Sequence, residues 1–395
     1  MLNEKMRELG AVRSVIRELF EYGKKRKAEI GEENVFDFSL GNPSVPSPDA
    51  VNESLSKIID TVNPTALHAY TSAEGDFEVR RAISDYINHT FGESTTPACL
   101  YMTAGAAAAI AATLTALASP GDEVIVPAPY FPEYKVFIER AGARIVPVPC
   151  KADFSLDVSA IEAAINERTA AVIVNSPNNP TGVVYTEENI RELTEMLRRK
   201  SSLREPIYLI ADEPYRELVF SGEAAPYLTK YYDDTVVCYS YSKSLSIPGE
   251  RIGYALVCPR IKSFTSVYQA IAGAGRALGY VCAPSLLQRL LPYCLGKTAD
   301  LDTYDKNRRL MTKKLTEYGY EVADSRGAFY LFVKSPSGDA MEFSERAKRF
   351  ELLIVPSDSF GCGGYARIAY CTPTEKIERS LPAFKALIDS YKEER

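Results

Sequence analysis

Lys243 and Arg251 are the two residues of this 395-residue chain from which chemistry can first be argued. Lys243 closes the run Ser240-Tyr-Ser-Lys243, directly after an apolar β-type stretch, Thr235-Val-Val-Cys-Tyr239. A lysine placed there arrives at the carboxyl end of a strand, where open α/β sheets bind ligands. To become a nucleophile it must lose its charge. Arg251, eight residues on, is a permanent cation that favours the neutral amine and can also bind a phosphate. An imine-forming lysine beside a phosphate pocket is what pyridoxal phosphate chemistry requires. Two other readings stay open on these residues alone: a solvated Lys/Arg pair, and an acylating serine enzyme, which also begins with Ser-x-x-Lys.

Such groups need elements to carry them. Short apolar runs at Glu123 to Pro127, Ala143 to Pro147, Ala170 to Val174, Ile207 to Ile210, Thr235 to Tyr239 and Tyr254 to Cys258 are separated in several places by helical stretches such as Glu187 to Arg199. This rhythm predicts a mainly parallel sheet covered on both faces. Four of the runs end in polar or aromatic groups: Pro129-Tyr130-Phe-Pro132, Asn175-Ser-Pro-Asn-Asn179-Pro-Thr-Gly182, Asp212-Glu-Pro-Tyr215 and Ser240 to Lys243. Together they predict one convergent site. Gly41 follows a short strand, Phe36 to Leu40, and opens a proline-rich loop; it either brings a backbone N–H close to a ligand or serves an ordinary turn. Gly105 precedes a helix opening with Ala106-Ala107-Ala-Ala109, whose small side chains leave N–H groups free for an anion or simply pack closely. The spacing of Val12, Val15, Ile16, Leu19 and Phe20 predicts a helix over 11–30. Beyond about residue 290 a long helix, Leu301 to Tyr318, leads to strand-like runs at Gly327 to Val333, Leu352 to Val355 and Tyr365 to Tyr370, a smaller α+β lobe.

Composition removes several classes. The length calls for two lobes, and 46% apolar residues suffice to bury both. A net charge of −6 offers no footprint for nucleic acid or an anionic membrane. Eight cysteines show no C-x-x-C pair, and the two histidines, His68 and His89, have no companions at ligand spacing. No metal site is expected, and reduced thiols fit a cytoplasmic protein. The charged N-terminus lacks a signal-peptide core, and no apolar run approaches a membrane span. An acylating serine enzyme would need a Lys-Thr-Gly element, which Lys297-Thr-Ala299 breaks. A ligand-sensing regulator would need an added DNA-binding module; the residues before Gly41 are few and carry as many acidic as basic side chains.

From Gly41 to Ile368 the chain resembles the class I, fold type I aminotransferases, the aspartate aminotransferase group, with the family's motifs in order. The set Asn175 to Gly182, Asp212-Glu-x-Tyr215, and Ser240-x-Ser-Lys243 with Arg251 is specific; no one member is. The resemblance implies a fold type I α/β architecture: a large cofactor-binding domain at 49–290 with a mainly parallel seven-stranded sheet, a small α+β C-terminal domain at 291–395, and an N-terminal segment, 1–48, packing with the small domain. It implies pyridoxal 5'-phosphate as cofactor and a homodimer with shared active sites. Lys243 becomes the Schiff-base lysine and general base, and Asp212 the partner of the pyridine nitrogen. Asn179 and Tyr215 bond the phenolic oxygen, and Tyr130 stacks on the ring. The phosphate falls to Gly105, Ala106, Ala107, Ser240, Ser242 and Arg251, with Tyr70 from the second subunit. Many relatives place Ser, Thr or Gln after that glycine, whereas Ala106 and Ala107 offer only backbone. Arg367 clamps the substrate α-carboxylate with help from Gly41 and Asn179, and Arg276 is the candidate for a distal carboxylate across the interface, against a plain surface arginine. The implied reaction moves an amino group between an α-amino acid and a 2-oxo acid. β-Elimination from a cysteine-type substrate is the second outcome that the pocket motifs do not separate.

Overall fold

The computed structural model describes residues 2–11, 15–201, 206–220, 222 and 224–393. Among the described residues there are twelve strands: β1 (Phe36–Asp37), β2 (Leu100–Thr103), β3 (Glu123–Ala128), β4 (Arg144–Pro149), β5 (Thr169–Asn175), β6 (Tyr208–Asp212), β7 (Thr235–Ser240), β8 (Gly253–Val257), β9 (Tyr330–Lys334), β10 (Leu352–Leu353), β11 (Val355–Pro356) and β12 (Tyr365–Ala369). Seven form one sheet in the order β2-β8-β7-β6-β5-β3-β4. The strands β5, β6 and β7 pair in parallel, and β5 and β7 are buried at every residue, which is why they read as unbroken apolar runs rather than alternating ones.

The register decides where chemistry collects. Asn175 lies opposite Asp212, and Asp212 opposite Cys238, so Asn175, Asp212 and the Ser240 turn all leave the sheet at one carboxyl edge. Strand β8 runs antiparallel to both of its neighbours. That reversal returns its amino end, and Arg251 just before it, to the same edge. Strand β2 is reversed again, so its exit at Thr103 also points there, and Gly253 sits between Ser240 and Thr103. A side chain on Gly253 has no room: a Cβ would lie 2.2 Å from Tyr239 O and 3.0 Å from Gly105 Cα.

The sequence expectation missed β2, a four-residue strand with no alternation. The predicted N-terminal helix is two helices, Glu4–Ala11 and Val15–Ile30; Val12 lies outside the described residues. The helix Leu301–Tyr318 has the predicted bounds, because Asp300 caps its start by accepting from the Thr303 N–H and Gly319 ends it in the left-handed region at φ 105°.

A second, three-stranded antiparallel sheet, β11-β12-β9, carries Arg367 on its central strand. The N-terminal segment is tied to it: β1 pairs in parallel with β10, and Ala369 N–H donates to Phe38 O at 2.9 Å. Among the described residues no helix is long and apolar enough to cross a membrane, and no cluster of three or more His, Cys, Asp or Glu could hold a metal.

Directly after β6 the chain buries charge. Arg216 is paired with Glu213 at 2.5 Å and enclosed by the rings of Phe91, Tyr227 and Tyr239, 5.3, 4.9 and 4.4 Å from its guanidinium. One oxygen each of Glu213 and Glu217 has no partner there. Replacing Arg216 would strand two buried carboxylates, so Arg216→Met should lower unfolding stability by about 3 to 5 kcal/mol. Urea denaturation measures it, and a loss below about 1 kcal/mol would show that the pair contributes nothing net.

Candidate active site

The carboxyl edge of the large sheet and the face of β12 enclose a cavity of about 290 Å³. Its wall brings together Gly41, Ala106, Ala107, Asn179, Asp212, Tyr215, Ser240, Ser242, Lys243, Arg251 and Arg367, eleven of the residues singled out from sequence.

Lys243 donates from Nζ to Gly41 O at 2.7 Å and lies 5.3 Å from the centre of the Phe329 ring. Burial pulls its ammonium down to about 8; the Cys371 thiol acts against this, and Arg251 and Arg367 act with it. A lysine of this kind has a large neutral fraction near pH 8. Asp212 ends β6 with its Oδ2 accepting a short bond from the Tyr134 hydroxyl, while Oδ1 is buried and without a partner. Burial pushes its carboxyl up to about 7; the Tyr134 bond opposes the shift and Glu213 adds to it. The carboxylate therefore lacks one donor, and a cationic N–H would satisfy it.

Asn175 fixes the strand end by donating to Asp212 O at 2.9 Å and accepting from the Asn179 N–H at 2.8 Å. Tyr215 and Tyr330 share one hydrogen bond between their hydroxyls at 2.9 Å. Burial raises both phenols, so both keep their protons. Two protons and one shared bond leave one O–H to donate elsewhere. Opposite them, Arg367 is 2% exposed, with Nη1 donating to Asn179 Oδ1 at 3.0 Å and Nη2 to Ser39 O at 2.6 Å. Its Nε has no partner, and its guanidinium lies 4.6 Å from the Tyr330 ring centre. Gly41 makes this crowding possible, since a Cβ there would lie 2.0 Å from the Tyr330 hydroxyl oxygen.

At the other end Gly105 precedes the helix Ala106–Leu117 at φ +83°, and a Cβ on it would come within 2.9 Å of Arg251 Nη2. The guanidinium therefore lies close over the helix start, donating to Ser242 Oγ at 3.4 Å, Pro248 O at 2.9 Å and Ala104 O at 3.5 Å. Ser240 and Ser242 share a bond at 2.7 Å. Helix N–H groups, two hydroxyls and a fixed cation form an anion cradle.

Three residues fall elsewhere. Tyr130 does not line the cavity: it is 8% exposed, packed under Gly361, with its N–H on Phe360 O at 2.9 Å. Phe131 lines the wall instead. Tyr70 is 92% exposed, and Arg276 is exposed in the last turn of the helix Phe264–Ala277; neither reaches the cavity of its own chain. The sequence reading passed over Phe131, Tyr134, Tyr330 and Ile16. Tyr134 and Ile16 look like helix packing and Tyr330 like a core strand, and only their contacts across the fold distinguish them.

The chain belongs to the class I and II aminotransferases, whose family profile matches residues 33–384. It is 28% identical to an aspartate aminotransferase of Thermotoga maritima, over 95% of this chain and 97% of the relative, and 31% identical to a probable aspartate/prephenate aminotransferase of Thermus aquaticus, over 88% and 89%. The crystal structure of an aminotransferase from Eubacterium rectale superposes with a TM-score of 0.97 at 52% identity, covering 99% of both chains. The protein is thus a transaminase that moves an amino group between an amino acid and a 2-oxo acid, and elimination is not favoured. Its fold is that of the fold type I enzymes.

Two measurements on the cofactor-free protein follow from the charges. Labelling of Lys243 by an amine reagent, followed by mass spectrometry, should rise with pH and reach half its maximum near 8, because only the neutral amine reacts. A midpoint at the ordinary 10.5 would mean the lysine is solvated. Tyr134→Phe removes a bond to Asp212. The folded carboxyl is raised to about 7, so its anion, which gains most from that bond, predominates only above that pH. The variant should lose about 1.5 to 3 kcal/mol of stability at pH 8.5 and less at pH 6; an equal loss at both would show that Tyr134 only fills space.

Proposed function

We propose that the cavity holds pyridoxal 5'-phosphate in a cytoplasmic homodimer with shared active sites, and that transamination runs as two half-reactions. The observation that carries this is the pairing, at one sheet edge, of a lysine held near pKa 8 with a buried aspartate lacking one donor. The cofactor supplies an electron sink for the bond broken at the substrate Cα. The residues do the remainder.

Ala106 and Ala107 N–H groups, Ser240, Ser242 and Arg251 would hold the phosphate. Asp212 Oδ1 would receive the pyridine N–H and keep that nitrogen charged. The hydroxyl proton left over by Tyr215 and Tyr330, with the Asn179 amide, would reach the phenolic oxygen. Phe131 supplies the aromatic face first assigned to Tyr130. Lys243 would take the proton from the substrate Cα as a neutral base and hold it as an ammonium. Arg367, with Nε free, clamps the substrate carboxylate, and Gly41 adds a backbone donor.

Tyr70, 92% exposed in its own chain, would complete the phosphate site of the neighbouring chain. Arg276 could meet a distal carboxylate only across the same interface. The cofactor-saturated protein should turn from its yellow form to the amino form with an α-amino acid, and borohydride should fix the cofactor to Lys243 alone. Asp212→Asn should slow Cα deprotonation by roughly two to three orders of magnitude while the fold persists. Reduction at another lysine, or an unchanged rate in the Asp212 variant, would falsify the assignment.

A further inference from the structure

The paired ladder between β6 and β7 stops short of Lys243. Its last pair is Asp212 with Cys238, and the Glu213 N–H extends it by one bond to Cys238 O at 3.0 Å. Asp212 therefore stands on the sheet, whereas Lys243 lies in the turn beyond the end of β7 at Ser240. Two groups that must meet one cofactor are thus carried by supports of different stiffness.

On the far side of the sheet a run of hydrogen bonds joins the two strand exits. Successive strand residues face opposite ways, so Tyr239 turns from the cavity that Ser240 lines into the core that holds Tyr241 and Tyr254. Its hydroxyl donates to Glu217 Oε1 at 2.8 Å and lies 3.1 Å from Ser244 Oγ. Burial raises the phenol, so Tyr239 keeps its one proton, and that proton is given to Glu217. Ser244 is then the donor to Tyr239. The bonds run one way, from the residue after Lys243, through Tyr239, to the turn that follows Asp212.

Each member of this run is held in place. Ser244 is buried, and its carbonyl accepts from the Ala299 N–H at 2.7 Å. The Tyr239 ring stacks on Tyr254 at 5.1 Å and stands edge-on to Tyr241 at 4.9 Å, with the Arg216 guanidinium 4.4 Å from its centre. Arg216 is paired in turn with Glu213, the neighbour of Asp212. Ser244, Tyr239 and Glu217 all lie outside the cavity wall, so they can reach the reaction only through the residues beside them.

We infer that Ser244, Tyr239 and Glu217 are positioning residues, which fix the Lys243 turn against the Asp212 end of β6 by hydrogen bonding rather than by charge. The inference rests on the transamination reading above, in which Lys243 is the base. Ser244→Ala cuts the link at Lys243 and leaves the bond between Tyr239 and Glu217 intact. In the cofactor-free variant, hydrogen exchange of the 241–246 amides, read by mass spectrometry, should quicken about fivefold, as the net loss of one hydrogen bond gives. Amine labelling of Lys243 should keep its midpoint near 8, because the lysine stays buried.

In the cofactor-saturated variant the half-reaction is followed with whichever of alanine, aspartate, glutamate and leucine converts the unmodified protein fastest. Its kcat should fall roughly tenfold to a hundredfold, the latter being the cost of a displacement of about 1 Å, with KM unchanged because Arg367 is untouched. Tyr239→Phe should do the same, and the double variant should lose no more than the worse single one, since one run of bonds is broken once. Glu217→Gln keeps an oxygen acceptor without the charge and should retain kcat, whereas Glu217→Leu should not. A kcat that survives Ser244→Ala overturns the inference, and so does a loss in Glu217→Gln equal to that in Glu217→Leu, which would make charge the agent. Should Tyr239→Phe fail to fold, Ser244→Ala and Glu217→Gln decide the matter. If the unmodified protein reacts with none of the four amino acids, the transamination reading falls. The exchange measurement still judges the tie: faster exchange of 241–246 in Ser244→Ala supports it, and unchanged exchange overturns it.

Discussion

Desolvation at one edge of the seven-stranded sheet is the constraint on which this site depends. Water would leave Lys243 charged and Asp212 fully ionised. Burial pulls the first down to about 8 and pushes the second up to about 7. One environment thus makes a base of the lysine and leaves the aspartate short of a donor. The sheet can impose it because β5 and β7 are buried along their whole length and β6 at every residue after Tyr208, so groups at their ends start inside the protein. The Glu213, Arg216 and Glu217 cluster lies just behind and adds negative charge near Asp212. That cluster is costly to bury. Glu213 strengthens the demand at Asp212 for a cationic partner.

The second sheet closes the site rather than carrying its chemistry. Arg367 reaches across from β12 to Asn179 on the large sheet, and Tyr330 on β9 meets Tyr215. The N-terminal segment adds Gly41 and Ile16 from the same side. In the proposed reaction the substrate carboxylate is thus met by an element outside the large sheet, while this chain's share of the anion cradle lies at the sheet's own edge. A movement between the two would alter substrate contacts and leave the cradle intact.

Much of this was legible in the sequence because the reacting groups sit at strand ends, where a buried apolar run stops abruptly and a polar motif begins. Asp212, Lys243 and Asn179 have that signature. Arg251 needed more: its closeness to Gly105 follows from the reversed strand β8, which spacing does not reveal. Tyr130 and Phe131 are adjacent aromatics after β3, and which one faces the cavity depends on the Phe360 carbonyl that holds Tyr130 from a distant loop. Tyr134 and Tyr330 carry no local mark at all. Their roles arise from contacts separated by 78 and 115 residues, and such pairings become visible only when the chain is folded.

The alanines after Gly105 give the anion cradle a particular character. With no hydroxyl at Ala106 or Ala107, charge compensation passes to helix N–H groups and to Arg251, whose guanidinium is permanently charged. The cradle's attraction should then be almost independent of pH across the range in which Lys243 and Asp212 titrate. At the opposite end Arg367 is equally permanent. The cavity therefore keeps two fixed cations, one for each anionic group that must enter, in a chain whose net charge is −6. At physiological salt the chain's overall repulsion of anions is screened beyond roughly 8 Å, so capture is local to the site. The pH dependence then belongs to the two groups between those cations, Lys243 and Asp212, the ones to which the proposed reaction assigns protons.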